Sequence, residues 1–235
     1  MIKEAIQYIV GLGNVETIDI NGQSYATRNL DLVKAPTQSS FQVQSLTGLV
    51  DYVKSSYDSK EKLLIHIVNH EKVVVVDAVN QDKRRNQYIE ASPDLPHVRY
   101  GEFYGSEEFN IKLQSCFKTT GDKEIMLKVV GNIKEESVNT IGDDGVSQSV
   151  VAKTGVATVG NVKVPNPVTL KPYRTFIEVD QPESEFIFRM KDGPRCALFE
   201  ADGGAWRLVA MQNIKNYLEK ELASELESEK VIIIA

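Results

Sequence analysis

At 235 residues, with 42% hydrophobic and 26% charged side chains, the chain is long enough for one generous domain or two small ones. Its composition is far from that of a disordered segment. A formal charge of −6 argues against indiscriminate duplex binding, which needs Lys and Arg clustered against phosphates, and no apolar run approaches the roughly 18 to 20 residues that cross a bilayer.

In chain order, Ile2, Ala5, Ile6, Ile9 and Val10 share one helical face, with Gly11 and Gly13 as the stop. Val15–Ile20 and Gln23–Thr27 flank Asn21-Gly22, whose tolerance of positive φ predicts a two-residue hairpin turn. Ser45 is placed to cap a helix that turns Leu46, Leu49, Val50 and Val53 inward. Leu63–Val68 and Val73–Val79, rich in β-branched residues and joined through Asn69-His70-Glu71, predict a central hairpin covered on both faces. Lys83-Arg84-Arg85 falls in the following loop, and Tyr88–Ala91 reads as a further strand. Ser106 is expected to cap a helix burying Phe109, Leu113, Cys116 and Phe117, and Asp122 a second one burying Ile125, Met126, Val129, Val130 and Ile133.

From Lys118 to Pro172 the chain has no aromatic residue, and Val150–Val164 alternates small β-prone residues with polar ones. Residues 134–167 are therefore expected to be a β arm on a single 1–235 domain, completed by a neighbouring subunit. Thr175–Val209 reads as four short strands: Phe186, Phe188 and Met190 alternate with Glu185, Ile187 and Arg189, and turns follow at Asp192-Gly193-Pro194 and Asp202-Gly203-Gly204. Met211, Ile214, Leu218, Leu222 and Leu226 mark a last helix. Val231–Ile234 is an apolar strand that must pair with a sheet edge in its own chain or another. A succession of hairpins without regular strand-helix alternation gives an α+β fold: a mainly antiparallel sheet, flanking helices and a protruding arm.

Little in the sequence points to catalysis. His66 and His70 have a helical metal spacing but lie in a strand and its turn, Asp143-Asp144-Gly145 lacks the alternating ligands of a calcium loop, and Gly11-Leu12-Gly13 follows a helix instead of a strand. There is neither a phosphate-loop Gly-Lys-Ser/Thr nor a Gly-x-Ser-x-Gly elbow. Cys116 and Cys196 are expected as free core thiols. No enzyme, catalytic residue, metal or cofactor is therefore expected. Met1-Ile2-Lys3-Glu4 lacks the charged-then-apolar start of a signal peptide, so a cytosolic protein without a membrane partner is expected.

Binding residues are sought among the arginines and aromatics of the last third: Tyr173, Arg174, Arg189, Arg195, Trp206 and Arg207. The competing explanation makes Trp206 core and pairs the arginines with Glu178, Glu185 and Glu200. For a phosphorylated ligand, Arg174 and Arg189 are the expected contacts, with Tyr173 stacking beside them and Lys83, Arg84 and Arg85 as a separate anion site.

Ser45-Leu46-Thr47-Gly48-Leu49-Val50-Asp51-Tyr52, Leu64-Ile65-His66-Ile67, Pro172-Tyr173-Arg174 with Phe176, and Phe186–Met190 together resemble the YfdQ-like proteins of prophages and phages, a family of unknown function. Val73–Arg85 departs from that family's His-rich and Asp-rich character, so no site is carried over. The resemblance implies a self-assembling phage accessory protein in the cytoplasm of an infected bacterium. The expected activity is binding, with itself as one partner and a small phosphorylated ligand, such as a nucleotide signal of host antiviral defence, as the other. The alternatives are a single-stranded nucleic-acid binder of phage replication or recombination and a structural ring or shell.

Overall fold

The computed structural model describes residues 2–11, 13, 15–20, 23–26, 38–59, 61–80, 83–131, 141–143, 148–150, 153–154, 157–158, 162–191 and 195–235. The chain divides into two compact units, Met1–Thr37 and Gln38–Ala235. The first contains α1 (Ile2–Gly11) and a hairpin of β1 (Thr17–Ile20) with β2 (Gln23–Ala26). Ile20 pairs with Gln23, which fixes the two-residue connection that Asn21-Gly22 predicts.

The second unit opens with β3 (Phe41–Val43), α2 (Leu46–Ser55), β4 (Leu63–Asn69), β5 (Lys72–Val76) and β6 (Gln87–Ala91). It continues with β7 (Tyr104–Gly105), α3 (Ser106–Cys116) and α4 (Gly121–Gly131), then five short strands: β8 (Ile141–Asp143), β9 (Gln148–Val150), β10 (Lys153–Thr154), β11 (Ala157–Thr158) and β12 (Val162–Lys163). It ends with β13 (Val168–Leu170), β14 (Ser184–Lys191), β15 (Arg195–Glu200), α5 (Trp206–Glu221), α6 (Ala223–Glu227) and β16 (Val231–Ile234). Two mostly antiparallel sheets with flanking helices make the fold α+β. One has the order β16-β4-β5-β6-β3 and the other β13-β14-β15-β7.

Each sheet has its own core. In the five-stranded sheet, Ile65, Ile67, Val73, Val75 and Ile89 pack with Leu46, Leu49 and Val53 of α2 and with Ile214 and Leu218 of α5. In the four-stranded sheet, Phe186, Phe188, Met190, Cys196 and Leu198 pack with Phe109 and Leu113 of α3 and Met126 of α4. The alternation of β14 fills this second core with one face only. Among the described residues no helix is long and apolar enough to cross a membrane.

Several local expectations need correction. Ser45 caps α2, accepting from Gly48 N–H at 3.1 Å, but Ser106 is the first residue of α3 and Gly105 occupies the cap. Thr120, not Asp122, caps α4 by accepting from Lys123 N–H at 3.1 Å, while Asp122 accepts from Thr169 N–H at 2.7 Å. Thr175–Val209 contains two strands rather than four. The side chain of Gln181, fully buried, accepts from the N–H groups of Arg174 and Thr175 and donates to the carbonyls of Thr175, Phe176 and Val179. With its backbone satisfied this way, the segment before β14 needs no ladder.

The tail β16 runs parallel to β4 of its own chain, from Val231 opposite Leu63 to Ile234 opposite His66. The five-stranded sheet is not fully covered on its second face, where Ile232 and Ile234 stay 44% and 43% exposed. Within the expected arm, β9 pairs with β8 and β12, and β10 with β11, all antiparallel. At the end of the expected arm, residues 164–167 are described and Val164 is buried in the second core; the other arm positions, Ile133 and the Asp192-Gly193-Pro194 turn lie outside the described residues.

Candidate ligand-binding cleft

Where the two sheets meet, six separate stretches of the second unit enclose a cleft of about 260 Å³. The β4–β5 turn gives His70 and Glu71, the β6–β7 connection Leu95–Val98 and Tyr100, and the β13–β14 connection Pro172, Tyr173 and Arg174. Cys116 ends α3, Glu200 ends β15, and Trp206 and Arg207 begin α5. The two turns from opposite sheets are tied together by Thr175 Oγ1, which donates to His70 O at 2.6 Å.

Trp206 is the centre of the arrangement. Buried to 5% exposure, it has the Arg174 guanidinium 3.8 Å from its ring centroid, the Arg207 guanidinium at 4.8 Å, and the His70 ring edge-on at 4.6 Å. The indole Nε1 is buried without a hydrogen-bond partner, and so is Arg174 Nε. The other Arg174 nitrogens are satisfied: Nη1 donates to Glu200 Oε1 at 2.7 Å and Nη2 to Ser184 Oγ. Arg207 is exposed and pairs with no carboxylate among the described residues. Its guanidinium folds over Gly204, where φ is +80° and a Cβ would collide with it.

The electrostatics follow from this packing. Burial lowers the His70 pKa, Glu71 at 3.2 Å opposes the shift, and Arg207 and Arg174 reinforce it, so His70 is neutral near pH 7. Burial pushes the Tyr100 phenol far up, with Arg174 acting against it. Burial also raises Asp202, but hydrogen bonds from Ser184 and the Gly204 N–H, with Arg174 nearby, outweigh it and leave this carboxyl below its ordinary value. Asp202 thus stays ionised beside the start of α5, whose first turn carries no acidic residue and no side-chain cap.

Of the residues sought in the last third of the sequence, the structure brings Tyr173, Arg174, Trp206 and Arg207 into the cleft. Arg189 is not with them. It alternates with Phe186 and Phe188 along β14 and so faces away from Arg174, with Nη1 donating to the neighbouring carbonyl of Phe188 at 3.2 Å. Lys83, Arg84 and Arg85 lie in the β5–β6 loop, away from the cleft lining, and Arg85 Nη1 donates to Asp77 O at 2.9 Å. The pairing of Arg174 with Glu200 and the burial of Trp206 agree with the competing structural explanation. Missed were His70 as a cleft residue, His97 and Tyr100; no periodicity marks residues that meet only through three connecting loops. The Trp206-Arg207 pair after Asp202-Gly203-Gly204 was the legible signal.

Both cysteines are free and buried, and burial pushes the Cys196 thiol up to about 12. Among the described residues no three His, Cys, Asp or Glu side chains gather as a metal site would require. Compared with known protein families, curated proteins and solved structures, the chain matches none.

Proposed function

We propose that the protein acts by binding a small anionic ligand with an aromatic ring, of mononucleotide size, in the cleft between its two sheets. The observation that carries this reading is Arg207: an exposed guanidinium with no carboxylate partner among the described residues, stacked on an indole beside two buried donor atoms that also lack partners. The other cleft arginine, Arg174, is already matched by Glu200, and His70 is neutral near pH 7. An incoming phosphate would therefore take Arg207, and its base would find the His70 and Trp206 edges. A cleft of about 260 Å³ suits one nucleotide better than a polymer.

The resemblance to phage proteins supplies a setting for this chemistry. In an infected bacterium, a self-assembling accessory protein of this kind would sequester a nucleotide signal of host defence. Titration calorimetry against a panel of mono- and cyclic nucleotides tests the binding step. Micromolar or tighter binding of one of them, lost in Arg207→Ala, is expected; heat-neutral titrations across the panel would discard the proposal. Mass spectrometry of small molecules released by heating protein from infected cells would identify the natural ligand.

A further inference from the structure

On the four-stranded sheet, the face turned away from α3 and α4 carries a second constellation. Lys191 and Arg195 are direct cross-strand partners on β14 and β15, and Arg189, two residues before Lys191, stands opposite Ala197. Period-two alternation places Ile187, Arg189 and Lys191 on the face opposite Phe186, Phe188 and Met190, and the register adds Arg195 and Phe199 to it. Phe103 joins from the residue before β7: its ring meets Phe199 edge-on at 6.2 Å and lies 4.1 Å from Lys191 Nζ.

Like charges directly opposite on neighbouring strands destabilise a sheet. Neither Lys191 nor Arg195 pairs with a carboxylate among the described residues, nor does Arg189, whose bond goes to a backbone carbonyl. The acid that these strands place on the same face is Glu185, at the far end of β14. Asp192, in the connecting turn, lies outside the described residues. Among the described residues, three cations beside two aromatic rings on a partly exposed sheet face therefore lack the carboxylate that their repulsion calls for.

We infer that this face is a platform for single-stranded nucleic acid. Phosphates answer the cations, and bases answer Phe199 and Phe103, which an acidic peptide or a simple anion would leave unused. In the free protein the Lys191 ammonium rests on Phe103; a stacking base displaces it toward the adjacent phosphate. This surface is separate from the cleft, on the other side of β14, and stands or falls independently of the ligand proposed there.

The test is fluorescence anisotropy with a labelled oligothymidylate of about twelve nucleotides, at ~50 and ~200 mM salt, with heparin and a duplex of equal length as comparisons. Binding at the lower salt is expected, weakened at least five-fold by Phe199→Ala and by Phe199→Leu, the latter keeping the apolar packing without the stacking face. Lys191→Gln and Arg195→Gln should each flatten the log–log salt slope by about 0.7, whereas Lys220→Gln on α5 should not change it. Heparin binding should be indifferent to the Phe199 variants. No binding at the lower salt would overturn the inference. So would oligonucleotide affinity untouched by both Phe199 variants, which would mark a surface for polyanions or acidic proteins, or a preference for the duplex.

Discussion

Arg174 and Arg207 stack on the same indole, yet they should answer differently to removal. Arg174 is 7% exposed and its loss strands Glu200 and Ser184, so Arg174→Ala should lower unfolding free energy by on the order of 3 kcal/mol in a urea titration. Arg207 is exposed and pairs with no carboxylate among the described residues, so Arg207→Ala should leave the urea midpoint within error while costing ligand affinity about 1.5–3 kcal/mol. Calorimetry on both variants separates a binding arginine from a structural one.

His70 adds a pH dependence. Its folded pKa lies below the unfolded value of about 6.5, so its contribution to stability is complete above that pH and is lost as pH falls through the lower folded value. An anion beside the ring favours the imidazolium, so binding takes up a proton. Affinity should rise as pH falls from about 7.5 to about 6, measured with a cyclic nucleotide whose diester phosphate does not titrate there. His70→Gln should flatten that profile; an equally steep profile in the variant would remove His70 from the site.

Elements in this protein are often finished by a single distant side chain. Buried Lys123 of α4 donates to Phe117 O at 2.6 Å and Gln114 O at 3.3 Å, closing the carbonyl end of α3, and burial lowers its pKa. Gln181 does the same for the segment before β14, accepting with one end of its amide and donating with the other. Gln181→Glu is almost isosteric but replaces the donor with an oxygen facing three carbonyls. It should cost at least about 3 kcal/mol by urea denaturation, as much as Gln181→Leu. A Gln181→Glu midpoint near that of the parent would mean that the segment holds its shape by packing alone.

On the scale of the whole molecule, β16 closes the five-stranded sheet but becomes its edge. Val231 is buried against the core, whereas Ile232 and Ile234 are half exposed, and no charge interrupts the strand. Such an edge invites another chain, and this supports the proposal that the protein is a homo-oligomer. Light scattering at micromolar concentration should give a multiple of the chain mass. Deleting Val231–Ala235 should reduce the assembly state or the solubility; a monomeric parent would end the proposal.

The sequence determined by itself whatever depends on neighbours within a few residues. Ser45 and Leu46–Val53 announced a capped amphipathic helix, Asn21-Gly22 a tight hairpin, and Phe186, Phe188 and Met190 one buried strand face, because capping, turn geometry and period-two alternation are local. Where a distant side chain does the local work, a local pattern misleads: Gln181 holds the segment before β14 as a loop, Trp206–Val209 already belong to α5, and the alternation of β14 itself separates Arg189 from Arg174. Only tertiary structure decided that β16 lies parallel to β4, that six stretches close the cleft around Trp206, and that Lys191 faces Arg195 across a ladder. Those are meetings of segments far apart in the chain, set by sheet order and register, and a backbone pattern that repeats every two or four residues carries no record of them.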